Sequence, residues 1–153
     1  MTTRWIDSPI GGLRLRAEGG TLVAIDFDAE AKGTRVAGAV LDLAEQQLAE
    51  YFAGERTEFD LPLAAHGTEF QQRVWEELIK VPYGRTASYG DISQRLGLDW
   101  RGPRAVGSAN NRNPIPIVIP CHRIIGADGS MVGYGGGLDR KVQLLSLETP
   151  ALF

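Results

Sequence analysis

Apolar residues gather in residues 3–7, 13–17 and 21–27, alternating with polar ones through 13–17, and turn chemistry separates the runs: Ser8-Pro9-Ile10-Gly11-Gly12, then Glu18-Gly19-Gly20. A period of two predicts half-buried strands, and the short connections predict a small antiparallel sheet. Residues 29–34 read as a polar connection, after which the period changes. Over 36–53, Leu41, Ala44, Leu48, Tyr51 and Phe52 share one stripe while Asp42, Glu45 and Glu50 lie off it. That spacing predicts an amphipathic helix, stopped near Gly54. A short strand around 58–61 is expected to follow.

The pattern shifts again near 62–67, which marks a boundary between a first lobe, 1–66, and a second, 67–153. Thr68-Glu69-Phe70-Gln71 is a capping-box signature. It opens a helix with Phe70, Val74, Leu78 and the flanking Trp75 and Ile79 as its apolar face, ended by Pro82-Tyr83-Gly84. Ser88-Tyr89-Gly90-Asp91 has the spacing of a second cap, opening a short helix with Ile92 and Leu96 turned inward. Residues 97–102 read as a turn, and Pro103 suits the first position of a third helix running through Arg104, Val106, Gly107 and Ala109 to about Asn111. Two short helices joined by a Gly-containing turn, with Arg on the second, suggest a helix-turn-helix. Residues 114–120 are Pro and β-branched Ile and Val, which predicts a stiff, buried, extended segment. Gly126-Ala127-Asp128-Gly129 is a turn. The run VGYGGG over 132–137 lacks phosphate-loop spacing and predicts close backbone approach to a ligand. Asp139 can cap a last helix whose apolar positions are Val142, Leu144, Leu145 and Leu147. Glu148 falls near that helix's end, where a carboxylate opposes the macrodipole and hints at a partner, although a Glu at such a position is more commonly just exposed.

Length and composition allow one well-cored domain or two small lobes: 153 residues, 43% hydrophobic and 23% charged. No apolar run is long enough to span a bilayer, and the amino-terminal stretch has no signal-peptide core. One cysteine excludes an internal disulfide and a cysteine-based zinc site, and a cytoplasmic, reducing location is expected. The net charge of −3 hides an asymmetry. Residues 1–66 carry 6 Lys/Arg against 11 Asp/Glu, a balance of −5, and residues 67–153 carry 10 against 8, a balance of +2. Within 85–123 there are six Arg and two Asp. A local basic patch on an acidic chain suits phosphate contact, although arginines also decorate ordinary solvated surfaces.

That patch surrounds the one cysteine. Cys121 follows Pro120 directly, and His122 and Arg123 come next, so a soft nucleophile, a base and a fixed cation are juxtaposed. A lone Cys after an apolar run is commonly inert and buried. His and Arg beside it are unusual at an inert position, since neither is often buried without a partner.

The run Asn113-Pro114, Pro120-Cys121-His122-Arg123-Ile124-Ile125-Gly126, and Gly133-Tyr134-Gly135-Gly136-Gly137-Leu138 strongly resembles the O6-alkylguanine-DNA alkyltransferases. The resemblance extends upstream through Phe70-Gln71-Gln72-Arg73-Val74-Trp75, Ser88-Tyr89-Gly90 and Arg104-Ala105-Val106-Gly107, and ends at Leu144-Leu145-Ser146-Leu147-Glu148. It is close over 67–148 and looser over 1–66. It implies an α/β amino-terminal lobe like ribonuclease H and a mainly α carboxy-terminal lobe with a helix-turn-helix of winged-helix type. It also implies transfer of an alkyl group from O6 of guanine in duplex DNA to Cys121, once per molecule, with O4-alkylthymine left open as a second substrate. His122 would act as base through a bridging water, Glu148 would orient it, Tyr89 would protonate the leaving guanine, and Asn113 would fix the turn before the reactive segment. Arg104 would fill the gap left by the flipped base. Ser88, Tyr89, Ala105 and Arg123 would meet DNA, while Tyr89, Ile124, Tyr134 and Gly135 would line the alkylguanine pocket. The partner implied is double-stranded DNA, gripped through the minor groove by a monomer, with cooperative assembly left open and with no membrane, metal or cofactor.

Two features depart from the family pattern. Many relatives have Ser at the position of Gly135, and the turn 98–102 looks about one residue longer than usual. Three functions compete on the residues: a suicidal alkyltransferase, a non-catalytic module that binds alkylated DNA, and a cysteine hydrolase. Cys121 argues against the second, and the scarcity of histidines (His66 and His122 only) against the third.

Overall fold

The computed structural model describes residues 1–30, 36–130, 134 and 136–150. The chain forms two compact units, Met1–His66 and Gly67–Phe153.

In the first unit, β1 (Thr2–Ile6), β2 (Leu13–Glu18) and β3 (Thr21–Asp26) form an antiparallel sheet in the order β1-β2-β3. Leu13, Leu15 and Ala17 of β2 point into the core while Arg14 faces out, so the two-residue period sets the sheet's buried face. Helix α1 (Ala39–Phe52) closes that face with Leu41, Ala44, Leu48 and Tyr51, each of them buried. Burying a Leu of this kind contributes about 1.5–3 kcal/mol. Arg4 of β1 is also buried. Its Nη1 donates to Asp42 Oδ1 at 2.7 Å and to Glu45 Oε1 at 3.4 Å, and its Nη2 to the Val36 carbonyl at 2.6 Å.

The strand expected at 58–61 does not form. The Gln47 side-chain amide takes both backbone groups of Asp60 instead, donating to its carbonyl at 2.9 Å and accepting from its N–H at 2.8 Å. Pairing is displaced to Leu63, which makes an isolated parallel bridge to Leu22. Most of the connection expected at 29–34 lies outside the described residues.

The second unit is mainly helical. Helix α2 (Glu69–Ile79) carries a complete capping box between Thr68 and Gln71 and buries Val74, Trp75 and Leu78. Ile79, read from sequence as part of that face, is exposed. Trp75 Nε1 donates to the Ala109 carbonyl at 2.9 Å, a buried bond that ties α2 to α4. Strand β4 (Ala87–Ser88) leads into α3 (Tyr89–Arg95), capped by Ser88 with Asp91 returning the bond, and α4 (Gly102–Asn111) follows across a turn. Helices α3 and α4 form the helix-turn-helix. Gly102 occupies the first position of α4 and Pro103 the second, a small correction with a steric reason: a Cβ on Gly102 would run into Ser93 Oγ and Leu98 Cβ. The last helix, α5 (Leu138–Glu148), starts from Gly137 with φ of 95°, and Asp139 lies inside its first turn rather than at the cap. An acidic residue there still favours the macrodipole.

Candidate active site

The apolar run before the cysteine is buried but not extended. Ile119 N–H donates to the Ile115 carbonyl at 2.9 Å, which folds the segment into a compact turn, and Ile117 sits at φ of 74°. A β-branched residue in the left-handed region is strained and needs its surroundings to hold it. Asn113 supplies the brace: its Nδ2 donates to the Ile119 carbonyl at 2.8 Å and its Oδ1 accepts from Ile115 N–H at 3.0 Å. Cys121–Arg123 is one turn of 3-10 helix, followed by β5 (Ile124–Ile125), which pairs in parallel with β4. An extended chain would set successive side chains on opposite sides. In the 3-10 turn they fan out about three to the turn.

Cys121 is buried, and its Sγ lies 3.7 Å from Tyr134 Oη. Asn110 Nδ2 donates to the Cys121 carbonyl at 3.2 Å. His122 is completely buried, with its Nε2 2.7 Å from Glu148 Oε2. Glu148 also receives Arg123, with Nε to Oε1 at 2.8 Å and Nη2 to Oε2 at 3.0 Å, while Arg123 Nη1 donates to the Val81 carbonyl at 2.8 Å. One carboxylate therefore holds both side chains that follow the cysteine. This corrects the reading of Arg123 as a DNA contact: its guanidinium is spent inside the protein.

The electrostatics follow from burial and these bonds. Burial acts to raise the Glu148 carboxyl, but the hydrogen bonds from His122 and Arg123 bring it down to about 2. Burial lowers the His122 imidazole below its ordinary value despite Glu148, and the cations Arg123 and Lys141 push the same way. At neutral pH the carboxylate is ionised and the imidazole neutral. An ionised carboxylate only accepts, so Nε2 carries the ring proton and Nδ1 presents the lone pair. Nδ1 is buried and has no hydrogen-bond partner among the described residues.

Burial pushes the Cys121 pKa up, against the opposing pull of Asn113, Tyr134 and Lys141, so the resting group is a thiol. The pair at rest is neutral thiol and neutral imidazole.

Lys141 was not singled out from the sequence. It is completely buried, donates from Nζ to the Ile124 carbonyl, and lies 5.9 Å from the ring centroids of both Tyr89 and Tyr134. Burial lowers its pKa to about 8, partly countered by Cys121. Lys141, Leu144, Leu145 and Glu148 make one buried stripe on α5, and a lysine inside an apolar helical stripe was the available signal.

Tyr89 is half-buried, and burial followed by the nearby Cys121 raises its pKa, so it remains a phenol. Its ring lies beside Gly107 of α4. Ser88 has its hydroxyl engaged by Asp91 N–H at 2.9 Å. Ile124 is fully buried in β5. Arg104 is exposed on α4, as are Ser108 and Asn111 at helical spacing, with Ala105 half-buried beside it. Gly135, expected at the pocket wall, lies outside the described residues, as do Val132 and Gly133. No helix among the described residues is long and apolar enough to cross a membrane.

Residues 1–65 match the ribonuclease-like domain of 6-O-methylguanine DNA methyltransferase, and residues 69–150 match its DNA binding domain. The chain belongs to the 6-O-methylguanine DNA methyltransferase family. It is 51% identical over 151 residues to the methylated-DNA–protein-cysteine methyltransferase of Mycobacterium leprae, covering 95% of this chain and 90% of that one. The protein of the same name from Methanosarcina acetivorans is 45% identical over 148 residues, covering 93% and 94%. Among solved structures, the Mycobacterium tuberculosis OGT in complex with DNA superposes with a TM-score of 0.88 at 48% identity, covering 97% of this chain and 92% of that one.

Proposed function

We propose that this protein repairs duplex DNA by transferring the alkyl group from O6 of an alkylated guanine to Cys121 Sγ, once per molecule. The observation that carries the reading is the geometry around Cys121: the next residue is a buried, neutral imidazole whose Nε2 is fixed 2.7 Å from an ionised carboxylate. That arrangement gives a nucleophile, a base and an orienter.

The chemistry balances without a co-reactant. His122 Nδ1 receives the thiol proton through a bridging water, and Glu148 stabilises the imidazolium that forms. The thiolate is supported by the Lys141 ammonium and by Tyr134, whose hydroxyl turns from acceptor to donor as sulfur loses its proton. Sulfur attacks the alkyl carbon, the carbon–O6 bond breaks with its electrons on oxygen, Tyr89 protonates the leaving guanine, and the proton held by the His122 imidazolium is released to restore the Tyr89 phenol. In sum one S–H and one C–O bond become one S–C bond and a protonated base. A thioether has no hydrolytic route back, so the cysteine is consumed. Asn113 and Asn110 hold the turn and the Cys121 carbonyl in place. The helix-turn-helix presents Arg104 to the minor groove, where it fills the space of the flipped nucleotide. A free nucleophilic thiol suits a reducing compartment, which favours the cytoplasm.

Intact-mass measurement after incubation with a duplex holding one O6-methylguanine tests the reading. The expected result is a single gain of about 14 Da that maps to Cys121 and is absent in Cys121→Ser, as for covalent capture by one nucleophile. Retained binding with no mass gain would make the protein a non-catalytic reader of damage.

A further inference from the structure

Trp100 has no role in the site described above and is 86% exposed, on the turn between α3 and α4. Indoles are enriched at interfaces, because the ring is apolar and its N–H polar. The turn that carries it is built, not slack. Leu98 N–H donates to the Ser93 carbonyl at 3.1 Å and Gly102 N–H to the Asp99 carbonyl at 2.9 Å. The Asp99 carboxylate accepts from Arg101 N–H at 2.9 Å and from its Nη2 at 2.9 Å. Gly97 takes the left-handed φ of 70° that starts the turn. The Arg101 guanidinium lies 5.7 Å from the Trp100 ring centroid, and its side chain is 71% exposed.

The surroundings select the occupant. Arg85, Arg95, Arg104 and Arg112 are exposed in the same stretch of chain, against Asp91 and Asp99, and Asp99 is engaged by Arg101. An aromatic ring paired with arginine, on a stretch of chain rich in exposed arginine, fits a polyanion with flat apolar faces. We propose that Trp100 and Arg101 make a further contact with the duplex, outside the alkylguanine pocket, the indole lying on a deoxyribose or base edge and Arg101 meeting a backbone phosphate. The proposal rests on the DNA reading and deepens it by extending the footprint past Arg104 onto the turn.

Binding to a short, fluorescently labelled, undamaged duplex, read by anisotropy at several salt concentrations, tests it without any chemistry at Cys121. Trp100→Ala is expected to weaken binding by about tenfold, within the range of one aromatic contact to nucleic acid. Trp100→Phe should stay within about twofold, because the flat ring is kept. The salt dependence should be unchanged in Trp100→Ala, since the indole releases no counterion, whereas Arg101→Ala should lower the slope by about one. Reaction with free O6-benzylguanine should be the same in Trp100→Ala and the parent. A Trp100→Ala protein that binds the duplex within about twofold of the parent overturns the proposal. Lost self-association with unchanged duplex affinity also overturns it and gives the face to a second copy of the chain. A parent that binds duplex but never gains mass on Cys121 refutes the repair reading alone and leaves this contact standing.

Discussion

Among the described residues each unit buries one arginine on carboxylate and backbone oxygen, and the two sites do different work. Arg4 is 3% exposed and reaches Asp42, Glu45 and the Val36 carbonyl. Arg123 is 6% exposed and reaches Glu148 and the Val81 carbonyl. The contrast lies in the acid. The Asp42 and Glu45 side chains remain 68% and 32% exposed, so water shares their charge, whereas Glu148 is fully enclosed and also holds His122. The first site fastens a helix to a sheet. The second fixes the tautomer, orientation and neutrality of a base next to a nucleophile. Burial of the acid, more than burial of the arginine, separates scaffold from chemistry here.

Removing the enclosed acid should have the largest effect. Glu148→Ala leaves Arg123 and His122 without their shared partner and should cost about 3–5 kcal/mol in chemical denaturation, as for broken buried ion pairs. It should also slow alkyl transfer by at least about 100-fold, the scale of a lost general base. Glu148→Gln tests the same charge with less disruption. Because the folded carboxyl lies at about 2, Glu148 contributes stability that is complete above its unfolded value near 4.5 and fades as pH falls toward 2. The Gln variant should therefore lose that acid-limb slope, and an unchanged slope would dissolve the distinction between the two sites.

Next in size is Lys141→Met, a buried cation replaced by a chain of similar length. It should move the pH profile of Cys121 reactivity with free O6-benzylguanine upward and slow the reaction at pH 7 by about tenfold, the consequence of roughly one unit in the thiol. In the parent, Lys141 loses its charge as pH rises through about 8, so its support for the thiolate fades above that value.

The scaffold site should give smaller numbers. Arg4→Met strands no enclosed carboxylate, so it should cost about 1–2 kcal/mol with the benzylguanine reaction rate unchanged. Asp42→Ala leaves Arg4 with Glu45 and the Val36 carbonyl and should cost less than about 1 kcal/mol. If Arg4→Met matched Glu148→Ala in both stability and activity, the two arginine sites would be equivalent and the comparison would fail.

What the sequence made legible was mostly local. Thr68 with Gln71 and Ser88 with Asp91 announce their helices because a cap is decided within four residues. Glu148 drew attention because a carboxylate at a helix end is locally unfavourable, and its partners proved to be the two residues after the cysteine. The failures depend on groups outside the segment concerned. Residues 114–120 have strand-like composition, yet Asn113 ties that segment into a turn and forces Ile117 to a positive φ. The segment at 58–61 loses its ladder to the side chain of Gln47, thirteen residues before Asp60. Arg123 read as a phosphate contact because charge alone does not reveal that an acid from α5 will claim it. Lys141 drew no notice, although its place in the apolar stripe of α5 was visible.

The central claim is that Cys121 accepts one alkyl group and keeps it, and a stoichiometric titration tests it most directly. With a fixed amount of protein and a rising excess of duplex holding a single O6-methylguanine, repaired guanine should level off at one per chain, with every Cys121 carrying the methyl group. Repaired product that climbs past the amount of protein, or a plateau reached with Cys121 unmodified, would contradict the account.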